Sequence, residues 1–173
     1  MGMRLVVCSL KTNGPQTIPP NVYTVVRFPF GAAESYDPDN LHPAVQPDTG
    51  RQITASDPRA GLIWPAHTAW ATLQGMMVWQ DIAGIAAANR PTHFRHRFVR
   101  DPLGLAGEPD STATSDHPPR PAGKGQSCQT KSWNIFVHPG VPVGYLVRHD
   151  AKVPLVLDLA EFKLSYWVQE PES

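Results

Sequence analysis

The seven histidines are the residues of this chain whose type best suits metal chemistry. His93 and His96 are three positions apart, a spacing that brings two ligands together on a helix. The run HFRHRFVR around them is typical of a strand, where an odd spacing places two side chains on opposite faces. The other five stand in separate segments without an H-E-x-x-H pattern: His42, His67, His117, His138 and His149. We therefore predict surface or hydrogen-bonded histidines and no metal centre.

Carboxylates and glycine-rich runs give no stronger signal for chemistry. Asp37, Asp39 and Asp48 have the oxygens that calcium prefers, but prolines interrupt them and no glycine stands where a calcium loop needs one. The run GKGQS at 123–127 lacks the spacing of a phosphate-binding loop. No G-x-S-x-G elbow or dinucleotide-binding pattern occurs. We predict that the chain is not an enzyme and uses no cofactor. A cupin-like metalloenzyme is a remote alternative, although the H-x-H pair of that class is absent.

Cys8 and Cys128 are too few and too far apart for a metal framework. As a catalytic nucleophile, either thiol would need a positioned base, which a sequence does not show. Both lie in apolar or strand-like contexts. We predict two reduced, buried thiols, with a disulfide as the alternative.

The composition limits the classes of partner. The 173 residues carry a formal charge of +0 and only 17% charged side chains, so the basic footprint of a nucleic-acid-binding protein is missing. No run approaches the ~18 apolar residues of a membrane span. We expect neither nucleic acid nor membrane as a partner. A surface with so little charge is instead typical of extensive contacts between proteins.

The elements that must position these residues are predicted to be strands. Nineteen prolines disfavour long helices, and apolar runs separated by turn residues favour many short strands. The final run EFKLSYWVQ alternates strictly between apolar and polar residues. A helix over 70–88 is the main alternative, weakened by Gly75 and Gly84. The predicted strands are 4–10, 22–30, 61–72, 76–82, 93–100, 133–137, 143–149, 154–158 and 161–169.

Residues 101–126 interrupt this pattern with five prolines, four glycines and no periodicity. Loops of this length are uncommon in compact domains and are usually functional or disordered. We predict one domain over 1–173 in which this segment is a mobile flap or an arm laid over a neighbour. Its candidate docking residues are Asp101, Pro109, His117 and Arg120.

Two stretches resemble the jelly roll of tumour necrosis factor and of the globular head of complement C1q, in its bacteriophage and bacterial versions. The first covers 16–43 and 51–71, and the second covers the closing strands over 137–169. The first matches an opening strand, an acidic loop and a third element. The matching residues are Ile18, Pro19, Thr24, Phe28, Tyr36, Asp37, Asp39, His42, Ile53, Thr54, Ala55, Ala60, Gly61 and Trp70.

This resemblance implies an all-β jelly-roll sandwich of about ten strands that forms homotrimers through one sheet. For the bacteriophage type it implies a structural protein of the virion, in the tail, a fibre or a head decoration. Such a protein is made in the host cytoplasm, docks on other virion proteins and is located in the virion.

Candidate interface residues follow from the strand pattern and from the basic run at 90–100. Trp167 lies on the polar side of the last strand and is expected to face outwards. Tyr145 and Trp79 are further aromatic candidates, and Arg95 and Arg97 are candidates for pairing with an acidic surface. The alternative function is a receptor- or glycan-binding module. Its stacking platforms would be the tryptophans Trp64, Trp79 and Trp167.

Overall fold

Two antiparallel β-sheets face each other in the computed structural model, which describes residues 2–31, 36–112 and 114–170. Within those residues, helices are limited to single 3-10 turns, none with the length or hydropathy of a membrane span. The all-β sandwich predicted from punctuation and alternation is therefore confirmed.

Sheet A has the strand order β1-β11-β5-β9, and β2 adds to one end of β11. The long strand β11 pairs with β1 on one side and with β5 on the other. Strand β9 pairs with β5 along the full length of both strands and leaves its other edge without a strand among the described residues. The bounds are β1 Met3–Lys11, β2 Gln16–Ile18, β5 Ala69–Trp79, β9 Ser127–Val137 and β11 Leu155–Gln169.

Sheet B has the order β3-β10-β6-β7, in which β10 and β6 pair over seven residues. Two further short strands join this sheet: β4 pairs with β10, and β8 pairs with β6. The bounds are β3 Thr24–Val25, β4 Leu62–Ile63, β6 Phe94–Arg100, β7 Asp110–Ser111, β8 Ser115–His117 and β10 Val143–His149.

The core lies between the sheets, where alternate residues of each strand point inwards. Phe98 and Tyr145 of sheet B each stack on Phe162 of sheet A, with ring centroids 5.9 Å apart. Gly75 makes room for this cluster, because a Cβ at that position would lie 2.6 Å from the Tyr145 ring. Each fully buried aromatic side chain contributes roughly 1.5–3 kcal/mol, so this stack is a main source of stability.

Several predicted strand limits are corrected by the structure. The predicted strand at 61–72 is divided, because residues 58–61 form a 3-10 turn and β4 ends at Ile63 before Pro65. Strand β5 then runs without a break from Ala69 to Trp79, so the helical alternative at 70–88 is wrong. Gly75 suits strand β5, because a residue without a Cβ leaves room for the Tyr145 ring of the opposite sheet. The two predicted closing strands are one strand, β11, with a register shift between Leu157 and Leu159.

Other limits differ at the ends of strands. The predicted strand at 22–30 contains only β3 as regular structure, and beyond it the N–H of Phe28 donates to the Ala60 carbonyl oxygen instead of to β10. Strand β9 begins at Ser127, six residues before the predicted start at 133.

The segment 101–126 contains more regular secondary structure than predicted. It contains β7 and β8, which both pair with β6. Asp101 begins it with a positive φ of 51°, and its carboxylate accepts hydrogen bonds from the backbone N–H groups of Leu105 and Ala106. At its far end the Asp81 carboxylate accepts from the N–H groups of residues 123 and 125. The described part of the segment is therefore fastened to its own domain at both ends.

Candidate interaction surfaces

The outer face of sheet A carries an exposed apolar band at one end, formed by Leu5, Trp167, Trp70 and Phe136. These four side chains are 44%, 58%, 63% and 44% exposed, respectively. Leu5 lies directly opposite Trp167 in the pairing of β1 with β11, and Trp70 lies opposite Phe136 in the pairing of β5 with β9. We call these four residues the apolar band.

The register places both halves of the apolar band together. Ser165 of β11 lies opposite Thr72 of β5, and these strands are antiparallel. Trp167 lies two residues after Ser165, and Trp70 lies two residues before Thr72. Both tryptophans are therefore on the same face and at the same end of the sheet. The rings of Trp70 and Phe136 have centroids 6.4 Å apart, within range of an aromatic contact. The band thus spans all four long strands of sheet A.

Away from the apolar band, this face also carries polar and charged side chains, including Gln74 and Lys163. Lys163 and Glu161 form an ion pair at 3.2 Å near its centre. Met3 extends the apolar character beside Leu5 and is 56% exposed. At the edge formed by β9, Trp70, Ser132, Trp133 and Asn134 line a shallow hollow.

The predicted interface residues are found in three separate environments. Trp167 faces outwards as predicted, within the apolar band. Tyr145 and Trp79 are completely buried, because their strands β10 and β5 direct them into the core. These two predictions are wrong, since a side chain with no exposed surface has none to offer a partner. Trp64 is also buried, which removes both Trp64 and Trp79 as stacking platforms for a glycan.

Arg95 and Arg97 lie on the outer face of sheet B, away from the apolar band. Arg95 forms an ion pair with Asp116 of β8 at 3.1 Å. Arg97 stacks on the ring of Tyr23, with its guanidinium carbon 3.6 Å from the ring centroid. These arginines therefore form a surface distinct from that of Trp167.

The predicted docking residues of the 101–126 segment also divide into groups. Pro109 and Arg120 are exposed. Asp101 is buried and its carboxylate is occupied by backbone donors, so its prediction as a docking residue is wrong. His117 is partly buried and contacts His96 rather than pointing freely outwards.

A polar cluster within the sandwich was not predicted. His96 is fully buried, and its Nδ1 lies 2.6 Å from the Tyr145 hydroxyl while its Nε2 lies 3.0 Å from Nε2 of His117. Lys131 of β9 donates to the Ser115 hydroxyl of β8 at 2.6 Å and acts electrostatically on His96. The sequence signal for it is that His96 alternates with Phe94 and Phe98, which places an imidazole among core residues.

The electrostatics of this cluster oppose a positive charge on His96. Burial lowers the pKa of His96 from 6.5 to about 3, with smaller contributions from His117 and Lys131. Burial also lowers the pKa of Lys131. An ammonium beside two imidazoles disfavours a bound cation, so the cluster is unsuited to hold a metal.

Histidines elsewhere in the core are hydrogen-bonded. Nε2 of His42 lies 2.8 Å from the Ala60 carbonyl oxygen, and Nε2 of His149 lies 2.9 Å from that of Ile18. Burial lowers the pKa of His149. The prediction of hydrogen-bonded histidines holds for these buried residues.

The other candidate side chains are three carboxylates and two thiols. Asp37 accepts from two backbone N–H groups, and Asp39 and Asp48 pair with arginines. Neither Cys8 nor Cys128, both in the described chain, forms a disulfide. The prediction that both thiols are buried is wrong for Cys128, which is exposed. No group of three or more metal-ligating side chains occurs among residues 2–31, 36–112 and 114–170.

Comparison of the whole chain with known proteins gives a clear result at the level of structure. No protein-family model matches the sequence, and neither does any curated protein. The Eiger TNF of S. frugiperda superposes with a TM-score of 0.55 at 11% identity, covering 98% of this chain and 96% of that one. The globular domain of the zebrafish complement 1qA protein superposes with a TM-score of 0.57 at 9% identity, covering 97% and 100%. The chain has the TNF/C1q-like jelly-roll fold.

This result confirms the fold implied by residues 16–71 and 137–169. At 9% and 11% identity the likeness extends to the fold alone. The surfaces of this jelly roll must therefore be interpreted from its own side chains.

Proposed function

We propose that this jelly roll is a non-enzymatic structural protein that forms a homotrimer through the outer face of sheet A. The observation that carries the proposal is the apolar band. Contiguous exposed apolar surface of this kind marks interaction sites, and aromatic residues are enriched in the centres of interfaces. The TNF/C1q-like fold supports a three-fold arrangement as the form of self-association.

The energetics favour burial of the band. Removing a large apolar side chain from water contributes roughly 1.5–3 kcal/mol when the burial is complete. The four members of the apolar band are each about half exposed in the single chain, so each retains part of this contribution for assembly. The neutral net charge adds no long-range repulsion between copies.

We further propose that the trimer is a component of a bacteriophage virion, as a minor tail, fibre or head-decoration protein. The support is the resemblance of residues 16–71 to the bacteriophage type of this domain. Docking on other virion proteins would use surfaces outside the apolar band, including the exposed residues Pro109 and Arg120.

The test is the mass of the purified protein by light scattering at micromolar concentration. We expect three times the chain mass of 19.0 kDa. The double variant Trp70→Ser/Trp167→Ser should shift the mass to that of one chain, because it removes both tryptophans of the band. Val45→Ser, at an apolar residue that is 53% exposed outside the band, is the matched control and should remain trimeric. A single-chain mass for the unmodified protein would contradict the proposal.

A receptor- or glycan-binding role is the second candidate function. The hollow lined by Trp70, Ser132, Trp133 and Asn134 supports it, because it combines indole surfaces with hydroxyl and amide groups. The variant Trp133→Ala on a glycan array separates the two roles. Loss of a glycan signal with retention of the trimer supports binding at the hollow, whereas the absence of any signal from the unmodified protein argues against it.

A further inference from the structure

The outer face of sheet B brings two arginines onto one tyrosine. Leu146 of β10 lies opposite Arg97 of β6, and Arg148 lies opposite Arg95 in the same pairing. Arg97 and Arg148 are therefore diagonal neighbours on one face. Their guanidinium carbons lie 3.6 and 5.6 Å from the centroid of the Tyr23 ring, just before β3. We call Tyr23, Arg97 and Arg148 the arginine cluster.

The positive charges of the arginine cluster have no counter-charge within the described chain. Asp116 pairs with the neighbouring Arg95, but no carboxylate among the described residues lies within 4.0 Å of a side-chain nitrogen of Arg97 or Arg148. Nη2 of Arg148 donates a hydrogen bond of 3.5 Å to the Asn21 side-chain oxygen. Both guanidiniums approach the same ring, so their like charges repel each other and a bound anion would relieve this repulsion.

The hydrogen-bonding capacity of both guanidiniums is also incompletely used. The Nε atoms of Arg97 and Arg148 are shielded from solvent and have no acceptor in the described chain. Arg97 makes no side-chain hydrogen bond there at all, and its contact is the face of the tyrosine ring. A guanidinium held flat on an aromatic ring directs its N–H groups outwards around the edge of the ring, where an oxyanion can accept them.

We propose that the arginine cluster binds a doubly charged tetrahedral oxyanion, either sulfate or phosphate, free or as an ester group on a larger ligand. Two guanidiniums without counter-charges match two negative charges, and their planar forks suit bidentate contacts to such oxygens. The cluster holds only two guanidiniums and the chain has a net charge of +0, so the site suits one oxyanion group rather than a polyanion. This inference is independent of assembly through sheet A, because the arginine cluster lies on the opposite sheet.

The test uses isothermal titration at constant ionic strength, with sodium chloride as the balancing salt. The probes are sodium sulfate, sodium phosphate, galactose 6-sulfate and glucose 6-phosphate. We expect saturable binding of one equivalent per chain. In NMR spectra recorded with the same probes, the backbone amide resonances of Tyr23 and Arg148 should move. Equal affinity for the inorganic ions and the sugar esters indicates a site for the free ion, and tighter binding of an ester indicates recognition of a larger ligand. Both outcomes support the proposal.

The variant Arg97→Gln/Arg148→Gln should weaken binding at least about tenfold, because it removes both charged forks. Arg51→Gln is the matched control, since Arg51 is exposed and has no ion pair in the described chain, and it should bind normally. If melting curves in chloride show that the double variant is unfolded, Arg148→Gln alone should still weaken binding at least about threefold. Unchanged affinity in the folded variants, or no saturable binding of any probe, would overturn the proposal.

Discussion

Replacing the buried His96 with glutamine should make the stability of this jelly roll less sensitive to acid. In the folded protein, burial, His117 and Lys131 lower the pKa of His96 from 6.5 to about 3. The unfolded chain therefore binds more protons at His96 than the folded chain does at any pH between these values. Stability from this group is fully present above pH 6.5 and is lost progressively as the pH falls towards 3.

The size of the effect follows from the two pKa values. At pH 5 an imidazole with a pKa of 6.5 is almost fully protonated, while one with a pKa of about 3 is almost fully neutral. The free energy of unfolding should then be about 2 kcal/mol lower than at pH 8 on account of His96 alone. His149 has a lowered pKa as well and adds a loss of the same sign, but this loss is shared by the variant.

The assay is urea unfolding followed by tryptophan fluorescence, at pH 8 and pH 5 and at one fixed protein concentration. Concentration is fixed because assembly contributes to apparent stability. We expect the unmodified protein to lose about 2 kcal/mol more than His96→Gln between the two pH values. His138→Gln is the matched control, because it replaces an imidazole that lies outside the core. Equal losses for the unmodified protein and His96→Gln would refute the reasoning.

Two further perturbations test the core and the thiols. Gly75→Ala should lower the free energy of unfolding by about 1–3 kcal/mol, because the new Cβ would lie 2.6 Å from the Tyr145 ring. Gly84→Ala, with nothing within 4 Å of its Cβ, should cost much less in the same urea titration. A thiol reagent should label Cys128 rapidly and Cys8 only after denaturation, because the first is exposed and the second is buried. Mass spectrometry after brief labelling checks this, and rapid modification of Cys8 would contradict the described core.

Strand identity was largely predictable from local pattern. Strand β10 has the predicted limits of 143–149, and the alternation of 161–169 correctly placed Trp167 on the outer face. Alternation succeeds because successive side chains of a strand point to opposite faces wherever the strand is located. Residue type is a weaker guide: aromatic side chains are enriched at interfaces, but Trp79 and Tyr145 take inward positions on β5 and β10 and are buried.

The two candidate surfaces were only partly visible in the sequence. Leu5, Trp70 and Phe136 are ordinary members of strands until β1, β5 and β9 are aligned beside β11. The basic run containing Arg97 is visible in the sequence, but the contact of Arg97 with Tyr23 depends on the pairing of β3 and β6 with the same strand, β10. Such neighbours come from distant parts of the chain, and pattern within one segment carries no information about them.

The sequence by itself determined that this protein is built from strands and which of its last residues face outwards. These properties are local, because proline, glycine and two-residue periodicity act within a few residues. The tertiary structure alone decided that Leu5, Trp70, Phe136 and Trp167 form one surface and that the buried His96 meets Tyr145. The physical reason is strand register, which the whole core selects at once by burying one face of every strand.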